Sequence, residues 1–173
     1  ALYPMVIEMR LLAAAAAKAA RQSLEARLEA CGVSVGVLAY GVMRLLSFQA
    51  QTISELSRRM NLRPATLVPV VDALERKGLV RRGCDPNDRR RAPLSLTERG
   101  AAMVARVPAV DEGDALVQSL SAMGSECSRQ LLLLLRELVR NMPGGAEALR
   151  QVSARVCPEE AGAGQRSSEA ERP

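Results

Sequence analysis

Residues 83–100 read GCDPNDRRRAPLSLTERG and crowd Arg89, Arg90 and Arg91 beside Asp85 and Asp88 at a turn. Like charges at a tight turn repel one another and gain little from burial, so the run is either solvated surface or a seat for an external anion. Guanidinium groups suit the second role, because each offers a planar fork of donors matching phosphate oxygens. Arg supplies all but two of the 24 basic residues, the exceptions being Lys18 and Lys77. Between Ile53 and Arg99 stand eleven basic and six acidic residues, so the whole +5 surplus of the chain sits in this segment. Such clustering is the electrostatic footprint of a nucleic-acid binder. Other chemistries find less support. There is no His, and no nucleophile stands with a base at a motif spacing, so an enzyme is not expected. Cys31, Cys84, Cys127 and Cys157 form no CxxC pair, so neither a metal nor another cofactor is expected.

The elements that must position these arginines are helices. Of 173 residues, 48% are apolar but only Tyr3, Tyr40 and Phe48 are aromatic, and a core of Leu, Val, Ala and Met favours helices over a sandwich or barrel. The sequence predicts a long first helix from Met5 to about Ala30, stopped at Cys31-Gly32, and a buried second helix from Val35 to Leu46. Thr52 and Glu55 then stand three apart as a capping box for "ISELSRRM". Asn61-Leu62-Arg63 leads to Pro64 at the first turn of another helix, with Leu67, Val70, Val71 and Leu74 on one face and a stop at Lys77-Gly78. Two short helices across a tight turn make a helix-turn-helix. Leu79–Arg82 and Arg91–Leu96 read as two strands of a hairpin, a wing, with Arg89–Arg91 at or just beyond its tip. Thr97 is the expected N-cap of a helix towards Val107 that resumes beyond Pro108 as far as Met123. Ser125 starts a helix whose "LLLLLRELV" is apolar on too many faces for one chain to cover. After Pro143-Gly144-Gly145 a weak helix runs to about Val156.

The stretch from Thr52 to Gly100 closely resembles the MarR family, dimeric winged-helix repressors named for multiple antibiotic resistance. "SELSRRMNLRPATLVPVVDALERKGLV" and "RRGCDPNDRRRAPLSLTERG" carry the resemblance, with DP, DRR and LT-xx-G at that family's spacing. "YGVMRLL" is similar to the family's second-helix segment, which extends the likeness back to about Val35. The resemblance implies that the helix from Pro64 to Lys77 enters the major groove, presenting Ala65, Thr66, Val68 and Pro69. Many relatives carry polar residues where Val68 and Pro69 stand, and apolar side chains there read thymine methyl groups rather than donor and acceptor patterns. It also implies that Arg90 reaches the minor groove while Asp88 helps to hold the wing. A groove narrowed by A/T bases compensates the crowding of Arg89, Arg90 and Arg91. Arg58, Arg59, Arg63, Arg81 and Arg82 then become phosphate contacts. "ATLVP" resembles the "TLTP" of the organic-hydroperoxide-sensing branch, but that branch's reactive cysteine lies early in the first helix, where this chain has none. An effector pocket between the DNA-binding lobe and the dimer helices is implied, with Arg10 and Tyr40 as lining residues for an anionic or phenolic ligand.

The expectation is therefore a mainly α (α+β) chain in three parts by role. Residues 35–100 form a winged helix-turn-helix, residues 1–34 and 101–157 a helical dimerisation region, and residues 158–173 a disordered tail. Its partners are a double-stranded DNA operator, a second copy of itself and a small-molecule effector. Two alternatives stay open, a thiol-based redox sensor of the same fold and a winged-helix interaction module that does not bind DNA. Glu8, Lys18 and Arg21 around "LLAAAAAKAA" argue against export, no run approaches the ~20 apolar residues of a membrane span, and the scattered cysteines read as reduced thiols of a cytoplasmic protein.

Overall fold

Strong helix formers without an internal glycine give a single long first helix, α1 (Leu2–Ala30), in the computed structural model, which describes residues 2–83 and 92–156 with side chains to 153. It begins three residues before the expected Met5, since Pro4 lies in the first turn, where a missing N–H leaves nothing unsatisfied. Seven further helices and one hairpin follow among the described residues. They are α2 (Val37–Leu46), α3 (Ile53–Met60), α4 (Pro64–Arg76), β1 (Val80–Arg82), β2 (Leu94–Leu96), α5 (Glu98–Ala105), α6 (Ala115–Met123), α7 (Ser125–Arg140) and α8 (Gly145–Val156). None of the helices is long and apolar enough to cross a membrane.

The strands pair antiparallel with Val80 opposite Leu96, Arg81 opposite Ser95 and Arg82 opposite Leu94. Gln51 adds a bridge on the other edge of β2, exchanging backbone hydrogen bonds with Leu94 at 3.0 and 2.8 Å. Its side chain is buried and donates to the Leu45 carbonyl at 2.9 Å, which ties the end of α2 to the sheet.

One difference from expectation lies after α5. The helix expected to reach Val107 stops at Ala105, and residues 106–114 are not helical. Asp114 explains the late restart: its carboxylate accepts from the Leu116 N–H at 2.9 Å, as a cap does, and from Arg27 of α1 at 2.8 Å.

The chain divides into two compact units, Ala1–Ser119 and a second beginning at Leu120. In the first, Leu28 of α1, Val42 and Met43 of α2, Leu56 of α3, Leu67, Val71 and Leu74 of α4, Leu79, Val80 and Leu94 of the hairpin and Val104 of α5 share one core. Division by packing thus differs from the expected division by role, because the end of α1 and α5 pack with the winged helix rather than apart from it. Residues 2–18 of α1 contribute nothing to that core and are exposed throughout. In the second unit α7 packs with α8, yet no residue of α7 is buried.

Candidate nucleic-acid interface

The helix-turn-helix is set by capping and by one left-handed residue. Thr52 Oγ1 accepts from the Glu55 N–H at 3.3 Å while the Glu55 carboxylate accepts from the Thr52 N–H at 2.7 Å, satisfying two orphan donors at the start of α3. Asn61 closes α3 at φ 52°, ψ 44°, a conformation Asn tolerates better than most residues. Arg63 then caps α4 with Pro64 at its first turn. Leu67, Val71 and Leu74 turn into the core, so Ala65, Thr66, Val68 and Pro69 are left on the exposed face. Pro69 sits inside α4 without an N–H to offer the Ala65 carbonyl four residues back.

The base of the wing is fastened to α5 by the LT-xx-G signature. Thr97 Oγ1 accepts from the Gly100 N–H at 3.1 Å and donates to the Gly78 carbonyl at 2.7 Å, while the Thr97 N–H donates to the Leu79 carbonyl at 3.1 Å. Gly100 passes so close to Leu79 that a Cβ there would lie 2.1 Å from the Leu79 carbonyl oxygen, so no larger residue fits. Gly78 lets the chain turn out of α4 at φ 66°.

The two strand arginines differ. Arg81 is exposed and bonded through Nε to Ser95 Oγ at 3.1 Å, and its terminal nitrogens have no partner among the described residues. Arg82 leans back on α4, where Nε meets the Glu75 carboxylate at 2.9 Å and a terminal nitrogen meets Asp72. The Glu75 bond, outweighing the cost of burial, raises the Arg82 pKa above its ordinary value. Its engagement with two carboxylates makes Arg82 a brace between wing and recognition helix. Asp88, Arg89, Arg90, Arg91 and Cys84 lie outside the described residues, as do Cys157 and the expected tail.

A cleft of about 610 Å³ opens on the helix-turn-helix, lined by Ser54, Ser57, Arg58 and Asn61 of one α3 face and by Arg63 and Pro64 at the start of α4. Arg58 and Arg63 are exposed, Arg59 is half-buried, and Ser57 is 7% exposed with its hydroxyl lacking a hydrogen-bond partner among the described residues. Sequence reasoning passed over Ser57. Ser54, Ser57, Arg58 and Asn61 recur at i, i+3, i+4, i+7 and share a face that flanks the apolar Ile53, Leu56 and Met60, with Ser57 next to Ile53 and buried with that stripe.

The pair Arg10 and Tyr40 is not brought together within one chain. Tyr40 is buried in α2, where burial raises its pKa against the opposing pull of Arg44 and Arg27. Arg10 is exposed on α1, 17 residues before Arg27 and so roughly 25 Å up the helix axis from it. A buried cation went unforeseen: Arg27, 8% exposed, pairs with Asp114. Burial alone would raise the Asp114 pKa, but the Leu116 N–H and the Arg27 guanidinium outweigh it and hold the carboxyl below its ordinary value. On the flank of α4 away from Ser57 lies a cleft of about 310 Å³, lined by Val35, Gly36, Ala39, Pro69 and Ala73 and ended by Lys77, whose ammonium donates to the Ser34 carbonyl at 3.0 Å. Cys31 is half-buried and Cys127 exposed, and both are free thiols.

A family model described as "MarR family" matches residues 41–92. A curated relative from Thauera aromatica, "Putative transcriptional regulatory protein for hcr operon", is 36% identical over 112 residues, which are 63% of this chain. The chain matches 64% of the length of that relative. Among solved structures, an Escherichia coli MarR mutant complexed with operator DNA superposes with a TM-score of 0.66 at 21% identity, covering 80% of this chain and 98% of that one. The Staphylococcus aureus MepR–DNA complex gives 0.59 at 20% identity, covering 82% and 96%. YusO of Bacillus subtilis gives 0.54 at 26% identity, covering 82% and 99%.

Proposed function

From the premise that the chain belongs to the MarR family of transcriptional regulators, which are not enzymes, we propose that it binds a pseudo-palindromic operator as a homodimer, acts as a repressor and is released by a small molecule. One observation carries the reading. Helix α4 is anchored by Leu67, Val71 and Leu74 while Ala65, Thr66, Val68 and Pro69 stand exposed, flanked by the exposed Arg58 and Arg63, which have no carboxylate partner among the described residues. A helix presented this way fits the major groove, its apolar residues reading thymine methyls and the arginines holding phosphates.

Two copies place two such helices on one face of the duplex, about 34 to 36 Å apart. The surfaces that need a second copy are the exposed apolar start of α1, including Leu2, Tyr3, Met5 and Ile7, and Leu131–Leu135 of α7. Arg90 supplies the minor-groove contact implied by the family resemblance. The effector acts by favouring a dimer whose recognition helices are wrongly spaced. Because Arg10 and Tyr40 do not meet within one chain, the Lys77-ended cleft beside α4 is the better effector candidate. Its size and apolar lining suit a small amphipathic anion.

The test is binding of the full chain to duplex DNA from its own promoter region across a salt series. Arg90→Ala is expected to weaken binding by about 1–3 kcal/mol and to lower the salt slope by about one. Unchanged affinity and slope would remove the wing from the account.

A further inference from the structure

The end of α1 holds a pair of charges that stability alone does not call for. The side chains of Arg27 and Asp114 are 9% and 10% exposed, and the buried Arg27 Nε has no hydrogen-bond partner among the described residues. Taking two charges out of water costs about what their attraction returns, and well-packed apolar residues of the same volume hold a fold as well or better. What an ion pair adds is direction. We propose that this pair makes Arg27 a positioning residue, which fixes the angle of α1 to the winged helix and so the separation of the two recognition helices and the half-site spacing the dimer accepts. The inference rests on the dimeric DNA-binding reading above and adds to it a determinant of spacing that touches no DNA.

The pair stands where two helices meet. One oxygen of Asp114 accepts from the Arg27 guanidinium at 2.8 Å and the other from the Leu116 N–H at 2.9 Å, so the residue that caps the start of α6 also grips α1. Asp111 flanks the same guanidinium nitrogen at 3.8 Å. The segment is tied to α1 again by Ser23 Oγ, which accepts from the Ala115 N–H at 3.0 Å, and by Arg106, which donates to the Cys31 carbonyl. Residues 106–114 are not helical, so this corner, rather than a continuous helix, sets how the chain passes from α5 to α6. Leu24 and Leu28 pack against the core beside Arg27, but apolar contact has no direction of its own and lets a helix tilt. Beyond the corner α1 runs unbroken back to Leu2, and its start carries the exposed apolar surface assigned above to the second copy. The lever is long. A tilt of roughly 5° about Arg27 displaces the start of α1, roughly 37 Å away, by about 3 Å, close to the ~3.4 Å rise of one base pair. One ion pair is thus placed to decide between spacings that differ by a single base pair.

The experiment measures binding of the full chain and its variants to its own promoter duplex, to that duplex with one base pair inserted or removed between the protected half-sites, and to a duplex carrying one half-site. The parent is expected to prefer its own spacing by about tenfold or more. A double variant, Arg27→Met with Asp114→Leu, fills the volume without the direction. It should melt at or above the temperature of the parent, bind the single half-site as the parent does, and bind the three spacings within about threefold of one another. Arg27→Lys keeps a charge beside Asp114 but loses the planar fork, and it carries the test if the double variant does not fold, with discrimination expected to fall to about threefold. A folded variant that discriminates as sharply as the parent overturns the positioning role and leaves the DNA-binding reading intact, as does a parent that binds all three spacings alike. A parent that binds none of these duplexes overturns that reading, and the inference with it.

Discussion

At the scale of single residues, two contacts hold the frame that presents the arginines. Gly100 is required by contact, since a Cβ would lie 2.1 Å from the Leu79 carbonyl oxygen. Gly100→Ala should therefore destabilise the chain by about 1–3 kcal/mol in chemical denaturation, against a slight gain from helix propensity alone. A stabilised variant would mean that α5 is not fastened to the hairpin as described. Asp114 and Arg27 form a pair with side chains 10% and 9% exposed. The Asp114 carboxyl is held below its ordinary pKa, so its contribution is complete above the unfolded value of about 3.9 and is lost as pH falls through the folded value. Asp114→Asn should cost about 3 kcal/mol at neutral pH, with the difference from the parent shrinking below about pH 4. A difference that stays constant with pH would show that the ion pair carries none of it. This pair was illegible in the sequence because its members stand 87 residues apart, and neither lies in a motif. The role of Gly100, by contrast, was written in LT-xx-G, where the cap, the two-residue gap and the close approach are all local.

At the scale of elements, propensity and capping made most of the helices legible. Thr52 with Glu55, Pro64, Lys77-Gly78 and Thr97 each mark a boundary through a local backbone requirement, and the observed elements begin or end at those residues. The exceptions have tertiary causes. The break at residues 106–114 contains Pro108 and ends where Asp114 binds Arg27, and Arg82, though exposed, pairs with Asp72 and Glu75. Ser57 escaped because burial of a small polar residue depends on what packs beside it. The arginines of the wing tip, the strongest signal in the sequence, fall outside the described residues, so their roles stay with the family resemblance. The recognition face carries its own test. Val68, 39% exposed, offers only apolar surface to a base edge, so replacing thymines by uracils in a bound half-site should weaken binding by about 1 kcal/mol or more, through loss of the C5 methyl groups. Equal affinity for both duplexes would mean that α4 does not read methyls.

At the scale of the whole molecule, the proposal turns on pairing. Leu133 and Leu134 are 57% and 62% exposed on a helix that buries none of its residues, and the first 17 residues of α1 that the structure describes are exposed as well. So much uncovered apolar surface is what a second copy would bury. Leu134→Glu leaves nothing buried unsatisfied in the single chain, so it should keep the fold and shift sedimentation from dimer to monomer. A variant that remains dimeric would place the interface elsewhere. The central claim is that two recognition helices are held at the pitch of duplex DNA, and the most direct measurement is the mass of the complex between the full chain and its own promoter duplex at low salt. Two chains per duplex are expected, with protected half-sites about 10 base pairs apart centre to centre; one chain per duplex, or no complex, would contradict the account.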